Sequence, residues 1–408
     1  MRRRVVVTGL GVITSIGEGR DTFWRNLLDG RSGISSVTGF DTSRYSVHNG
    51  GEIPTFAPDD YVHRLNAASM GRASQFAIAA SRLAIADANL AIADCDDARA
   101  GVVLGTTSGE PQFIEALDDA TALPNRSEVD TTFVRKYPSH MLAAHVAAEF
   151  RLRGMSVTIP TACAAGNAAL TYAADAIRSW SADVILAGGA DAFSRITFAG
   201  FSRLGAIAPH RCQPFDKRRR GMIPGEGGAV LLLEALEHAR ARGARIYAEL
   251  AGCGLSCDAH HMTAGHPAGE GAVTAMQRAL ADANLRPDDV SYISAHGTGT
   301  VLNDQLETAA IKRLFGRTAY RIPVSSIKSM LGHCMGAAAA IEAAACSLAV
   351  AHDRVPPTMN FEEPDAVCDL DYVPNAARDH RVDVAMNNAH GFGGNNACVL
   401  LRKLETAA

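Results

Sequence analysis

The sequence predicts an α/β protein that is built from two similar halves. Strand-like and helix-like segments alternate along the chain, which is typical of sheets that are covered by helices. Four segments of the first part recur in the same order in the second part. The pairs are "RRVVVTGLGVITS" and "RIYAELAGCGLSC", "AGVVLGTTSGE" and "VSYISAHGTGT", "MSVTIPTACAAGNAALTYAADAI" and "IPVSSIKSMLGHCMGAAAAIEAA", and "ADVILAGGADAFS" and "VDVAMNNAHGFGG". One such match between apolar strands arises by chance, but four in one order predict a duplicated unit.

The repeat divides the chain into residues 1–245 and 246–408. No low-complexity linker separates the two halves, so we expect them to share one core. Equivalent turns of a duplicated unit come close together when its halves pack against each other. We therefore expect the chemistry of this protein where those turns meet.

Composition excludes several classes of protein. The chain has 408 residues, of which 47% are hydrophobic and 20% charged, as in globular proteins. A net charge of −4 argues against nucleic-acid binding. The nine cysteines form no CxxC pair, so no zinc site and no metal among the site residues is predicted, and their odd number and scatter indicate a reducing compartment. The first apolar run is too short to span a membrane and contains Thr8, Gly9 and Gly11, so we expect a cytoplasmic protein.

The segment "SVTIPTACAAGNAALTYAADAI" changes from strand to helix near Cys163. β-Branched residues precede the cysteine, and helix-forming alanines follow it. The unpaired N–H groups and the dipole of a helix N-terminus favour a negative charge. The sequence therefore predicts a thiol that ionises more readily than a free one. The alternative is a small buried cysteine of the core.

Three further segments of the second half carry reactive side chains. His296 ends a strand in "SAHGTGT", where the alternative is a histidine on a surface loop. In "SSIKSMLGHCMGAAAAIE" a strand ends at Lys328 and a helix starts near His333. Glu342, further along that helix, can pair with Lys328, although the lysine could also simply cap the strand. Phe392 stands between glycines in "GFGG", which allows its loop to move.

A cysteine with two histidines predicts acyl transfer followed by a step that needs hydrogen-bond donors. The thiolate attacks a thioester and holds the acyl group on sulfur. Two neutral histidines aimed at a second thioester carbonyl stabilise an enolate, which leads to carbon–carbon bond formation. A cysteine hydrolase would instead pair one histidine with an Asn or Asp.

These motifs resemble the β-ketoacyl-acyl-carrier-protein synthases, in particular the type II condensing enzyme of fatty-acid synthesis. The resemblance runs from "RRVVVTGLGVITSIG" to "NNAHGFGGNNACVLL". Its anchors are "TACAAGN", "PFDKRRRGMIPGEGG", "HGTGT", "KSMLGHCMGAAAAIE" and "GFGG". It implies the thiolase fold, a duplicated βαβαβαββ unit in five αβαβα layers that is usually a homodimer. This agrees with the repeat described above.

The resemblance also implies a role for each reactive residue. Cys163 receives the acyl chain, and its amide forms an oxyanion hole with that of Phe392, the gate between the half-reactions. His296 and His333 bind the malonyl thioester and stabilise the enolate. Lys328, paired with Glu342, is implied to set the electrostatic field of the site. Asp258 is implied to lie on a second loop that moves with the gate. The substrate-binding residues that it implies are Thr298, Thr300, Ser108, Phe201 and His390.

The sequence departs from the family pattern on the substrate side. Ser108 replaces a bulky aliphatic residue that restricts the acyl pocket, which predicts room for a longer, more rigid or more unsaturated chain. His390 stands where a phenylalanine is usual, Asn395 replaces a threonine, and Val301 stands where proline is common. The lysines that often dock the acidic carrier protein are absent from the segment between Arg64 and Arg72. The basic side chains that could substitute are Arg64, Arg72 and the run 218–220, or these are solvated surface.

The leading hypothesis is an acyltransferase that extends an acyl thioester by two carbons from malonyl carrier protein. The alternative is the ketosynthase subunit of a type II polyketide or polyene pathway, which works with a chain-length-factor paralogue. A non-catalytic paralogue is disfavoured by Cys163, and a coenzyme A thiolase by the two histidine motifs. The predicted partners are an acyl carrier protein and a second subunit, in a homodimer or a heterodimer. No cofactor is predicted beyond the phosphopantetheine arm of the carrier protein.

Overall fold

The computed structural model describes residues 2–92, 95–121 and 133–404. The first half contains β1 (Val5–Thr14), β2 (Gly17–Glu18), α1 (Arg20–Leu28), β3 (Ser35–Ser36), β4 (Asn49–Gly50), α2 (Arg72–Asp87), β5 (Ala100–Gly105), α3 (Pro111–Thr121), α4 (Phe133–Lys136), α5 (Met141–Phe150), β6 (Ser156–Ile159), α6 (Ala165–Arg178), β7 (Val184–Asp191), α7 (Arg195–Arg203), β8 (Gly227–Ala235) and α8 (Leu236–Ala241). The second half contains β9 (Ala248–Cys257), α9 (Glu270–Ala283), β10 (Tyr292–Ser294), α10 (Val301–Phe315), β11 (Val324–Ser325), α11 (Lys328–Leu331), α12 (Ala338–His352), β12 (Arg354–Val355), β13 (Arg378–Asp379), β14 (Val384–Gly391) and β15 (Asn395–Arg402).

The two halves have the same strand topology. The order is β6-β5-β7-β8-β1 in the first half and β11-β10-β14-β15-β9 in the second. In each half the first three strands of that order run parallel, and the last two pair in antiparallel fashion. The halves meet where β1 pairs with β9 through Val6 and Val7. Each of the four repeated sequence segments begins or contains an equivalent strand, so the duplicated βαβαβαββ fold is confirmed.

Helices cover and separate the sheets. α2 and α5 pack on the outer face of the first five strands. On the second five strands α9 packs in the same way, and α10 packs beside α9 and shares its hydrophobic cluster. α6 and α12 lie between the two sheets and pack against each other. This gives the five layers of the predicted architecture. The division at residues 245 and 246 lies in the loop between α8 and β9, and it stays a prediction because one hydrophobic cluster includes residues of both halves.

The middle layer explains the alanine-rich sequences. Within the described part of the chain, Met335–His352 is the one stretch long and apolar enough to cross a membrane, and 89% of it is buried inside the protein. It is the central core helix α12, with its turn of entry. Small side chains let α6 and α12 approach closely: a Cβ atom added to Gly166 would lie 2.5 Å from the backbone nitrogen of Ala340. Glycine is therefore required where the two helices cross.

The variant Gly166→Ala is expected to lower the free energy of unfolding by about 1–3 kcal/mol, because the added methyl group forces the two helices apart. The measurement is urea denaturation followed by circular dichroism. The matched control is Gly200→Ala in α7, where an added Cβ meets nothing within 4 Å. That variant is expected to be neutral or stabilised by up to about 1 kcal/mol, through helix propensity. Equal losses in both variants would contradict the close crossing of α6 and α12.

Candidate active site

Four loops meet at the carboxyl ends of the strands, where α/β sheets commonly place their sites. Cys163 follows β6, His296 follows β10, His333 follows β11, and Phe392 follows β14. These side chains line one cavity of about 360 Å³. The duplicated topology is what brings together residues that lie so far apart in the sequence.

The backbone before Cys163 presents the sulfur to the cavity. Ala162 has a φ of 50°, in the left-handed region that is uncommon for residues other than glycine. A single 3₁₀ turn over Ala162–Ala164 then leads into α6. The predicted helix therefore starts two residues later than Cys163. Met335, before α12, has the same φ of 50°, so the second half enters its central helix in the same way and not directly from His333.

The thiol of Cys163 is not more acidic than a free cysteine, and the prediction from the helix terminus was wrong. The side chain is almost fully buried, and burial raises its pKa to about 12. The nearby charge of Lys328 and the backbone amides of Cys163 and Phe392 lower the pKa, but they do not outweigh burial. The thiol is therefore protonated at physiological pH.

The two histidines flank the sulfur. His333 Nε2 lies 3.1 Å from Cys163 Sγ. The rings of His296 and His333 lie edge to face, with centroids 5.4 Å apart. Burial, followed by the charge of Lys328, holds the pKa of both well below the ordinary value of 6.5. Both rings are therefore neutral at physiological pH, and each can donate one N–H.

Lys328 and Glu342 form a buried ion pair behind the histidines, as the sequence predicts. Each side chain is only 2% exposed. Burial raises the pKa of Glu342 to about 7, although Lys328 opposes this effect. Lys328, which lies outside the cavity wall, thus supplies a positive charge that lowers the pKa values of His296, His333 and Cys163 alike.

Phe392 lies at the mouth of the cavity and is 38% exposed. Its ring packs on Phe201 at a centroid distance of 5.5 Å. Hydrogen bonds join its loop to the loop of Asp258: the Asp258 amide donates to Gly394 O at 2.9 Å, and the Gly393 amide to Met262 O at 2.7 Å. The two loops that the sequence predicts to move together are therefore in direct contact.

A glycine also permits a close approach of two backbone segments beside the nucleophile. A Cβ atom added to Gly391 would lie 3.1 Å from Thr161 O and 3.2 Å from Cys163 N. The loop of Phe392 therefore runs against the backbone of the nucleophile. This close approach brings the Phe392 amide within hydrogen-bonding reach of the Cys163 sulfur.

Most of the predicted substrate-binding residues line the cavity, but one of them does not. Among the cavity-lining residues are Phe201, Thr298, Thr300, Asp258 and His390. The hydroxyls of Thr298 and Thr300 are 2.9 Å apart. Ser108 is not among the lining residues; it lies on the turn after β5, where its amide donates to Asp191 Oδ1 at 3.1 Å. A role for Ser108 in the acyl pocket stays a prediction.

Two of the arginines suggested for docking are engaged in ion pairs with carboxylates of the same chain. Arg219 is buried, and its Nη1 lies 2.6 Å from Asp365 Oδ2. Arg72 donates to both oxygens of Glu226 at 2.8 Å. Arg218 is exposed, although it also pairs with Glu363. Arg219 and Arg72 are therefore structural residues.

Sequence reasoning missed Glu307 and Asn396. Glu307 accepts the backbone amides of His296 and Gly297, each at 2.8 Å, and so fixes the turn of His296. Asn396 lies between His390 and Asp258. A signal for Glu307 existed: α10 places Asp304, Glu307 and Thr308 at helical spacing on one face, and all three are buried.

The donor atoms of Cys163, His296 and His333 all lie within 4.8 Å of one another. Sulfur and imidazole are ligands that Zn²⁺ accepts. The acyl chemistry derived below uses the same atoms without an ion, and the prediction that no metal takes part stays untested.

A duplicated five-layer fold that presents a buried cysteine beside two neutral histidines defines a thiolase-fold acyltransferase. The sequence profile of the β-ketoacyl synthase N-terminal domain matches residues 2–239, and that of the C-terminal domain matches residues 247–362. The chain belongs to the β-ketoacyl synthase family.

Sequence relatives and solved structures are similar to this chain over nearly its full length. The chain is 42% identical to "3-oxoacyl-[acyl-carrier-protein] synthase 2" of Synechocystis sp., with 99% of each chain covered. The ishigamide ketosynthase/chain length factor structure superimposes with a TM-score of 0.96 at 43% identity, covering 99% of this chain and 100% of that one. A type II polyketide ketosynthase, solved with its acyl carrier protein and bound to a hexaketide, has a TM-score of 0.91 at 34% identity, with the same coverage.

Proposed function

We propose that this protein catalyses the decarboxylating condensation of an acyl thioester, held on Cys163, with malonyl carrier protein. The product is a 3-oxoacyl carrier protein that is longer by two carbons. The observation that carries the proposal is the contact of 3.1 Å between Cys163 Sγ and His333 Nε2. Sulfur, two neutral imidazoles and two backbone amides converge on one cavity, which suits two successive reactions of thioesters.

In the first half-reaction Cys163 attacks the carbonyl carbon of the acyl thioester. The thiol is protonated, so its proton must leave during the attack, and the neutral His333 Nε2 is placed to accept it. The amides of Cys163 and Phe392 stabilise the oxyanion of the tetrahedral intermediate. When the carbon–sulfur bond to phosphopantetheine breaks, the proton passes to the leaving thiolate. The acyl group then remains on Cys163.

In the second half-reaction His296 and His333 donate to the thioester carbonyl of malonyl carrier protein. For this step the single proton of the neutral His333 ring must lie on Nε2, so the ring changes tautomer after the acylation step, in which Nε2 accepts the thiol proton. Loss of carbon dioxide leaves the bonding electrons as an enolate, which the two N–H donors stabilise. The enolate carbon attacks the acyl carbonyl on Cys163, the new carbon–carbon bond forms, and the cysteine thiolate leaves. One proton then restores the thiol. A charged imidazolium would protonate the enolate before it attacked the acyl carbonyl. Neutral rings at this position therefore suit the step.

The partners follow from the thioester chemistry. An acyl carrier protein delivers both substrates on phosphopantetheine, whose arm would pass Thr298 and Thr300 in the cavity wall. No further cofactor is required. A cytoplasmic location and a dimer, made with itself or with a paralogue, belong to the same proposal.

The second candidate function is the ketosynthase subunit of a type II polyketide or polyene pathway that works with a chain-length-factor partner. His390 in the cavity wall favours this candidate, because the fatty-acid enzymes usually have a phenylalanine there. The similarity to the ishigamide ketosynthase/chain length factor gives further support. A coenzyme A thiolase is disfavoured, since Cys163 is the one cysteine among the described residues that line the cavity.

The acyl preference can be tested with a panel of saturated and polyenoyl carrier-protein thioesters. Intact mass spectrometry is expected to show an acyl adduct, which disappears in favour of a 3-oxoacyl product when malonyl carrier protein is added. Adducts with saturated chains support the fatty-acid function. Adducts with polyenoyl chains only, together with a copurifying paralogue that lacks the cysteine, support the second candidate. No adduct with any chain would contradict both.

A further inference from the structure

His390 lies at the end of β14, two residues before the gate phenylalanine, and its ring forms part of the cavity wall. The side chain is only 15% exposed. The condensation described above uses Cys163, His296, His333 and the amide of Phe392, and it gives this third histidine no task. A buried imidazole in a place where the family usually has a phenylalanine needs an explanation of its own.

Both ring nitrogens of His390 face acceptors. Nδ1 lies 2.8 Å from Asn396 Oδ1. The orientation of the Asn396 amide is fixed, because its Nδ2 donates to Asp258 Oδ1 at 3.0 Å and to Gly394 O at 3.1 Å. On the other side, Nε2 lies 3.7 Å from Glu307 Oε1, which is the distance of an ion pair. An imidazole that faces acceptors on both sides is matched by its doubly protonated, positively charged form.

The charged groups around His390 agree with this assignment. Glu307 approaches it from α10, Asp258 from the loop after β9, and the charge of His390 also acts on Glu342 of α12. His296, with its ring centroid 5.6 Å away, is neutral. Burial lowers the pKa of His390, but Glu307, Asn396 and Asp258 raise it above the ordinary value of 6.5. The pKa of Glu307 is lowered in spite of burial, by His390 and by the two amides that it accepts.

This ion pair lies directly against the turn of His296. Glu307 Oε1 accepts the His296 amide, and Oε2 accepts the Gly297 amide. The Oε1 atom that faces His390 is therefore the atom that holds the backbone of His296. The charge of His390 also lowers the pKa of His296 and helps to keep that ring neutral.

We propose that His390 is a positively charged positioning residue that holds Glu307, and through Glu307 the neutral ring of His296, in place for the malonyl half-reaction. This inference rests on the proposed condensation, because it assigns His390 to one of its two steps. Loss of the charge loosens His296 but leaves Cys163 and its oxyanion hole intact. His390 therefore acts on decarboxylation and not on acyl transfer to the cysteine.

The charge is tested by a pH titration of ¹³C-labelled histidine in the full-length protein, followed by NMR. The chain has 14 histidines, so the resonance of His390 is identified by its absence from the variant His390→Phe. Its midpoint is expected above 6.5, the ordinary value, and lower by about one pH unit or more in Glu307→Gln. A midpoint at or below the ordinary value, or one that does not move in Glu307→Gln, overturns the proposal.

The role is tested by measuring the two half-reactions separately. In His390→Phe the kcat of malonyl decarboxylation is expected to fall about tenfold with little change in KM, while Cys163 acylation stays within about twofold. The wild-type decarboxylation rate is expected to fall as the pH rises through the midpoint of His390, and this fall is absent from the variant. His390→Gln, which keeps a polar side chain without charge, should behave like His390→Phe. The matched control is His352→Phe, whose ring stacks on Trp24 at the far end of α12.

Equal losses in both half-reactions indicate a purely structural residue and overturn the proposal, as does an unchanged kcat. If wild-type protein forms no acyl adduct and releases no carbon dioxide, the proposed function fails, and the role of His390 in it fails too. The NMR titration does not depend on activity, so it separates that failure from the absence of the charge pair.

Discussion

Replacing Cys163 by alanine is expected to abolish the acyl-enzyme and to lower condensation by about four orders of magnitude or more, as loss of a nucleophile does in other covalent enzymes. The change removes one buried sulfur atom and leaves the two histidines, the amide of Phe392 and the cavity in place. Decarboxylation of malonyl carrier protein depends on the histidines, so it is expected to persist in Cys163→Ala. Acyl adducts are counted by intact mass, and carbon dioxide by release from labelled malonyl carrier protein.

The matched control is Cys346→Ala, because Cys346 is equally buried but lies within α12, away from the cavity. Its acylation and condensation rates are expected to stay near those of the wild type. An acyl adduct on Cys163→Ala would show that another of the nine cysteines is the nucleophile. Loss of acylation in Cys346→Ala with the fold intact would equally contradict the assignment.

The second large effect is expected from Lys328→Met. Both members of the Lys328–Glu342 pair are only 2% exposed, so the variant leaves a buried carboxyl group without its partner. Breaking a buried ion pair from one side costs about 3–5 kcal/mol. We expect a loss of this size in the free energy of unfolding, measured by urea denaturation at pH 8. The pKa values of His296, His333 and Cys163 should all rise, because Lys328 lowers each of them.

The destabilisation should depend on pH in a defined direction. Burial already raises the pKa of Glu342 from the ordinary 4.5 to about 7, and loss of Lys328 raises it further. A carboxyl group whose pKa is higher in the folded protein contributes most stability below its unfolded pKa, and this contribution is lost as the pH rises through the folded value. Between pH 4.5 and about 7 the Glu342 carboxyl is protonated in both folded proteins, so the defect of Lys328→Met is expected to be nearly constant there and to grow as the pH rises above about 7.

A double variant separates the charge from the packing. Lys328→Met combined with Glu342→Leu removes both charges, and it should recover most of the stability that the single variant loses. The control is Lys312→Met, which breaks the partly exposed pair with Asp369 and should cost no more than about 1 kcal/mol. A double variant that is no more stable than Lys328→Met would contradict the view that an unpaired Glu342 causes the defect.

The repeat in the sequence predicts the fold well, because each repeated segment contains a strand with an equivalent place in its sheet. It also predicts that Cys163, His296, His333 and Phe392 meet, since they follow equivalent strands. The first residues of the helices α6 and α12 are predicted less accurately than the strands. Periodicity does not show the left-handed residues Ala162 and Met335, which delay α6 and α12.

The properties of the site were harder to predict than its members. The position of Cys163 at a helix N-terminus suggests an acidic thiol, but burial has the larger effect, and burial depends on tertiary packing. Glu307 escaped notice because a charged residue in a helix usually faces solvent. His390 is a departure from the family that the sequence shows, whereas its ion pair with Glu307 depends on tertiary packing that brings α10 to the end of β14.

The most direct test of the proposed chemistry is a single-turnover experiment with acyl-loaded enzyme and labelled malonyl carrier protein. The acyl adduct on Cys163, the released carbon dioxide and the 3-oxoacyl product are measured on the same samples. One carbon dioxide and one product are expected for each adduct lost, and the product is expected to carry the two malonyl carbons. Free acyl acid in place of the product, or adduct loss without carbon dioxide, would show hydrolysis and contradict the account.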